Sequence, residues 1–195
     1  MKKIVITILV ATLVLFGASA ALQGTASQNA QEEHLWLLQT LLPGSESFVV
    51  VPYDGEDANI VSVHKAENGF VVETKVYGYA DNIRMFTAVN NDGKVTGLVV
   101  REAHETVGLG NEALTDHVFL KQFLNSSGSF EVATHGADAF SSATGTADAG
   151  TGESVEVDGI TGATVTSKAI AKSVNSAVGY VTGADVATSA TTWGG

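Results

Sequence analysis

The longest apolar stretch of the chain stands at its beginning. From Ile4 to Leu22, 19 residues are interrupted only by Thr7, Thr12 and Ser19; Lys2 and Lys3 precede them, and no further charge appears until Glu32. A helix of this length, at about 1.5 Å per residue, just crosses a hydrocarbon core. The same stretch has the layout of a signal peptide, with two lysines, an apolar segment as far as Phe16, and Ala18-Ser19-Ala20 as a cleavage site. The pattern predicts an N-terminal transmembrane or signal helix over 1–22 and leaves the two alternatives open. In either, the lysines stay inside, so the remainder lies outside the cytoplasm. No cysteine follows the run, which excludes a lipoprotein anchor. Residues 23–31 are polar and small, a linker.

From residue 32 the periodicity is that of a folded domain. Leu35, Leu38 and Leu42 fall at helical spacing, and Pro43-Gly44 stops the helix predicted over Glu32–Leu42. Strand-like runs follow at Phe48–Val51, Ile60–His64 and Phe70–Tyr77. Ile83–Val89 and Lys94–Arg101 flank Asn90-Asn91-Asp92-Gly93, a hairpin signal. Glu112–Leu124 reads as one helix with Val118, Leu120, Phe123 and Leu124 on its apolar side, and Phe130–Ala133 as a further strand. Residues Gly136–Ser154, rich in Gly, Ala, Ser, Thr and Asp, read as a long surface loop. Val165–Val181 is the clearest helix, its stripe formed by Ile170, Val174, Ala177, Val178 and Val181, with Lys168 and Lys172 elsewhere. Strands dominate the middle and helices flank them. The predicted class is α+β, with a mostly antiparallel sheet, a domain over 32–182 and a tail over 183–195.

Composition narrows the chemistry. Hydrophobic residues make up 45% and charged residues 16% of the 195, enough for a core and against global disorder. A formal net charge of −11 repels a phosphate backbone, so nucleic acid is excluded as a partner. The absence of cysteine removes disulfides, iron–sulfur clusters, thiolate zinc sites and cysteine nucleophiles together. Redox chemistry would therefore need an organic cofactor or a metal without thiolates. His34, His64, His104, His117 and His135 show no ligand spacing, and no phosphate-binding loop or serine-nucleophile string is present.

The most informative string is Asp158-Gly159-Ile160-Thr161-Gly162-Ala163-Thr164-Val165-Thr166-Ser167, a small-residue turn opening onto the last helix. Gly162 and Ala163 allow close approach to the backbone. The helix start offers unpaired N–H groups and the positive end of its dipole, a seat for phosphate, and Thr164, Thr166 and Ser167 add hydroxyls. The same residues also describe an ordinary threonine N-cap that binds nothing. Upstream, Glu105-Thr106-Val107-Gly108-Leu109-Gly110 is a glycine-containing loop suited to a planar ligand, or a plain strand-to-helix connection.

These two segments resemble a known family. Asp158, Thr161, Gly162, Ala163 and Thr164 match the D-x-x-[ST]-G-A-T signature of the FMN-binding domain of RnfG- and NqrC-type subunits, which belong to ion-pumping redox complexes. Glu105, Thr106, Gly108, Leu109 and Gly110 match that family's E-T-P-G-L-G loop, with Val107 in place of its proline. Gly78-Tyr79-Ala80-Asp81-Asn82-Ile83 resembles its G-Y-x-G-P-I segment more loosely, and Gln122-Phe123 follows in the same order. The resemblance implies FMN joined by a phosphodiester to Thr164 by a flavin transferase, with the ring toward the 105–110 loop. It implies an extracytoplasmic, membrane-tethered electron carrier working with the other membrane subunits of an Rnf-type ferredoxin:NAD⁺ oxidoreductase. Two other readings stay open: a stand-alone exported FMN protein for extracellular electron transfer, and a non-redox exported module in which Thr164 only caps its helix.

Overall fold

The computed structural model describes residues 29–105, 110–133 and 154–183. The apolar segment and most of the linker, the Thr106, Gly108 and Leu109 positions, the long loop up to residue 153 and the tail beyond Gly183 lie outside the described residues. The chain divides into two compact units, residues 1–37 and 38–195. Of the first, residues 29–37 are described and all are helical; this helix, α1, continues to residue 41. No helix among the described residues is long and apolar enough to cross a membrane.

The second unit is built on five antiparallel strands in sequential order: β1 (Val49–Val51), β2 (Ile60–Lys65), β3 (Gly69–Tyr77), β4 (Asn82–Asn90) and β5 (Val95–Glu102). The predicted hairpin is present. The Gly93 N–H donates to the Asn90 carbonyl at 2.9 Å, and Gly93 takes the left-handed φ of 77° that a tight hairpin turn demands. Alternation along β3 and β4 sends Val72, Val76, Ile83 and Met85 to one face. On that face lies α4 (Thr164–Thr182), which packs against β3 and β4. Its Ile170, Val174 and Val178 are wholly buried, each contributing about 1.5–3 kcal/mol of burial. The helix is more enclosed than its predicted stripe, since Ser173, Asn175 and Ser176 are buried as well. It ends at Gly183, whose φ of 65° lets its N–H reach the Gly179 carbonyl at 2.9 Å.

The opposite face carries the row Val71, Ala88 and Gly97, which the end of α1 approaches closely. A Cβ on Gly97 would lie 2.7 Å from the Leu41 carbonyl oxygen, and the Thr96 hydroxyl donates to that oxygen at 2.9 Å. Glycine is required there for contact, not for a turn. Of the predicted stripe, Leu38 and Leu42 are buried and Leu35 is 40% exposed; Leu41, outside that stripe, is buried as well.

One expectation is corrected. The helix read over Glu112–Leu124 is two short helices, α2 (Gly110–Thr115) and α3 (His117–Lys121). Asp116 breaks it: its carboxylate accepts from the Val118 and Phe119 N–H groups at 2.7 and 3.1 Å, so it caps a new helix instead of continuing the old one. A strand without counterpart in the sequence reading, β7 (Val155–Asp158), follows the segment read as a loop over Gly136–Ser154, which up to residue 153 lies outside the described residues. It pairs in parallel with β6 (Phe130–Ala133), in register from Phe130 opposite Val155 to Ala133 opposite Asp158.

Two amide side chains tie this small sheet to the helices. Asn175 of α4 accepts from the Phe130 N–H at 2.8 Å and donates to its carbonyl at 2.9 Å, as a neighbouring strand would. Gln122, just after α3, does the same for the backbone of Asp158, at 2.8 and 3.1 Å.

Candidate functional site: a cleft at the start of the long helix

The small sheet delivers the chain to the site. β7 ends at Asp158, held by Gln122. Gly159 then passes so close to β6 that a Cβ would sit 2.6 Å from Val132 Cγ1. The Ala163 N–H donates back to the Ile160 carbonyl at 2.9 Å, closing a turn in which Gly162 has a φ of 83°. A side chain at the third position of such a turn would be strained. The Ile160 N–H donates to the buried Ser167 hydroxyl at 3.2 Å, fixing the turn against the first turn of α4.

Thr164 is the first residue of α4, so it is not the cap that one reading of the sequence makes it. The cap position belongs to Ala163, which has no side-chain oxygen, and among the described residues no side-chain hydrogen bond caps the helix. The Ser167 N–H donates to the Ala163 carbonyl at 2.8 Å, leaving the amides of Thr164, Val165 and Thr166 without intrahelical partners. Beside them opens a cleft of about 240 Å³, lined by Tyr79, Gly110, Gly162, Ala163, Thr164, Val165 and Thr166. Closed small-molecule pockets enclose roughly 300–1,000 Å³, so a ligand of flavin size would be only partly covered here. Thr164 is half-buried and Tyr79 is 65% exposed.

Under the cleft lies Glu105, only 9% exposed. Its carboxylate accepts three hydrogen bonds: from the Thr166 hydroxyl at 2.8 Å, the Ala80 N–H at 3.2 Å and the Tyr79 N–H at 3.3 Å. The Tyr79 turn is itself closed by the Gly78 N–H donating to the Asp81 carbonyl at 2.8 Å. Two glycines from separate segments make room for this one carboxyl group. A Cβ on Gly110 would meet Glu105 Oε2 at 2.5 Å and the Thr166 hydroxyl at 2.6 Å, and a Cβ on Gly78 would overlap Glu105 Oε1.

Of the residues singled out in the sequence, Gly110, Gly162, Ala163, Thr164 and Thr166 line one cleft, with Glu105 directly behind them. Thr166 is fully buried, its hydroxyl turned to Glu105. Thr161 is exposed in the turn, and Asp158 is exposed at the end of β7 and is not part of the lining. Sequence reasoning missed Tyr79 and Val165 as lining residues and Gln122 as the support of Asp158. Tyr79 stands only in a loosely matching motif, and nothing in the string indicates that a turn near residue 79 folds against a helix near residue 164.

The site thus offers what a phosphorylated, partly exposed planar ligand needs: an uncapped helix start, a hydroxyl in its first turn, an aromatic side chain, and backbone surfaces kept bare by glycine. Comparison with known proteins agrees with that class. The chain belongs to the FMN-binding domain family, which matches residues 78–179, from the Tyr79 turn through most of α4. Its relatives include subunits of RnfG type. The chain is 27% identical over 173 residues to one from the Na⁺-translocating ferredoxin:NAD⁺ oxidoreductase complex of Acetobacterium woodii, covering 80% of this chain and 77% of that protein. It is 34% identical over 113 residues to one from the proton-translocating ferredoxin:NAD⁺ oxidoreductase complex of Clostridium ljungdahlii, covering 58% of this chain and 53% of that protein.

Proposed function

We propose that the protein is an electron-carrying subunit of a membrane ferredoxin:NAD⁺ oxidoreductase complex, with FMN held by a phosphodiester to the Thr164 hydroxyl. The observation that carries the reading is the position of Thr164: half-buried, first in an uncapped helix, and on the wall of the cleft. The residues fit the group. The free amides of the first helical turn and the helix dipole suit a phosphate diester. Gly162 keeps the approach open, and Tyr79 and Val165 offer apolar surface to the remainder of the cofactor. When bound, the flavin supplies electron transfer. The protein's own residues hold it, orient it and leave part of it accessible to neighbouring carriers. The relatives that belong to such complexes support the assignment to a complex here. The apolar segment at 4–22 supports tethering at the membrane, with the domain outside the cytoplasm. There a covalent bond prevents loss of the cofactor by diffusion. In this reading Asp158 and Thr161, both exposed, belong to the string that a flavin transferase reads before modification.

The test is Thr164→Val in the full chain, coexpressed with a flavin transferase. Because the hydroxyl is not the helix cap, the substitution leaves the fold intact and removes the attachment atom. The expected result is a colourless, folded protein beside a yellow wild type. Covalent FMN on the folded mutant would overturn the assignment.

A further inference from the structure

Resting on that reading of the cleft, we propose that Glu105 is its positioning residue, fastening the Tyr79 turn to the first turn of the helix that carries Thr164. Three segments far apart in sequence meet at this one carboxyl group. The turn at 78–81 supplies the Tyr79 and Ala80 amides, α4 supplies the Thr166 hydroxyl, and α2 supplies only the space left by Gly110. Each of these segments also contributes to the lining of the cleft, through Tyr79, Gly110 and the 162–166 stretch.

The carboxylate is buried and has oxygens on both sides engaged, so it has little freedom to point into the cleft as a ligand. Its chemistry suits the joint. A carboxylate only accepts, and it faces two backbone N–H groups, which can only donate, and the Thr166 hydroxyl, which donates to it here. A glutamine in its place would present an NH₂ group to at least one of these donors. Among the described residues Tyr79 has no other anchor of this kind: its side chain is largely exposed, so the place of its ring at the site depends on where its backbone is held. The assignment therefore gives Glu105 two consequences. It keeps the Tyr79–Ala80 turn closed onto α4 whether or not the cofactor is present. It also sets the environment of the bound flavin through Tyr79, without being the group to which the flavin is attached.

The experiment compares wild type, Glu105→Gln, Glu105→Asp and Thr166→Val in the full chain, each prepared with and without a flavin transferase. In the unmodified proteins, hydrogen exchange at the Tyr79 and Ala80 amides is expected to accelerate at least tenfold in Glu105→Gln. Thr166→Val, which keeps both amide bonds, should show a smaller effect, and Glu105→Asp a partial recovery. In the modified proteins, covalent loading by mass should persist while the flavin midpoint potential moves in Glu105→Gln and returns toward wild type in Glu105→Asp. Unchanged exchange at both amides, or an unchanged potential in a fully loaded Glu105→Gln protein, overturns the proposal. If Glu105→Gln does not fold, Thr166→Val and Glu105→Asp carry the same comparison. Failure of the wild type to take up flavin would strike the proposed function instead, and the exchange measurement would still decide whether Glu105 holds the turn.

Discussion

Replacing Gly110 by alanine puts a single methyl group where Glu105 and Thr166 meet. The new Cβ would lie 2.5 Å from Glu105 Oε2, 2.6 Å from Thr166 Oγ1 and 3.2 Å from Glu105 Cβ. Contact distances for such atoms are about 3.5 Å, so the carboxylate has to retreat by roughly 1 Å. Both obstructing atoms are side-chain ends, which would ordinarily move at little cost. Here they are bonded to each other at 2.8 Å, and the carboxylate is bonded to two backbone amides. Hydrogen bonds to a charged group are worth about 1.5–3 kcal/mol each, and weakening three of them while the carboxylate regains some water costs about 2–4 kcal/mol in total. Alanine returns about 0.4–1 kcal/mol by lowering the conformational entropy of the unfolded chain. The expected net loss is about 1–3 kcal/mol, or roughly 2–12 °C in Tm for a protein of this size. Urea unfolding of Gly110→Ala measures it, and a double-mutant cycle isolates its cause. In a Glu105→Ala background the carboxylate is gone and the Thr166 hydroxyl, no longer bonded to it, can turn aside, so most of the loss from Gly110→Ala should disappear. An equal loss in both backgrounds, or no loss in the wild type, would refute the argument that Gly110 is glycine to accommodate Glu105.

Two further substitutions probe the frame around the cleft. Asn175→Ala leaves the buried N–H and C=O of Phe130 without their partner; at about 1–3 kcal/mol for each unsatisfied group, urea unfolding should register a loss of about 2–6 kcal/mol. Asp158→Ala removes an exposed side chain but leaves the backbone bonds to Gln122 in place, so flavin loading, followed by mass over time, should slow while the folded state persists.

The parts of the fold that are legible in the sequence are those governed by short-range periodicity. The strand-like runs at Phe70–Tyr77 and Ile83–Val89, the turn residues Asn90–Gly93 and the stripe through Ile170, Val174 and Val178 each imply their element, and the elements are present. The two misses have different physical causes. Asp116 is a polar residue inside an apolar helical pattern, and its preference for capping outweighs that pattern. Val155–Asp158 does alternate, with Val155 and Val157 buried, but it is four residues long and directly follows a small-residue stretch. Its partner β6 lies across the 134–153 segment, and no local rule announces a parallel pairing over that distance. The site divides in the same way. The 158–164 string is readable because its chemistry is contiguous. The role of Glu105 is not, since its hydrogen-bond partners lie 25, 26 and 61 positions away. The glycines at 78 and 110 announce that something approaches closely, but only the folded chain shows that it is a carboxyl group.

In the proposed function Thr164 is the residue that carries FMN. The measurement that tests it most directly is peptide mass mapping of the wild-type full chain purified from cells that contain a flavin transferase. The expected result is a single addition of one FMN less one water, on the peptide spanning the start of α4, with fragment ions placing it on Thr164. The neighbouring hydroxyls should be unmodified, because Thr166 and Ser167 are buried against Glu105 and the Ile160 amide, and Thr161 lies in the turn ahead of the helix. A fully unmodified Thr164, or flavin mapped to Thr161, Thr166 or Ser167, would contradict it.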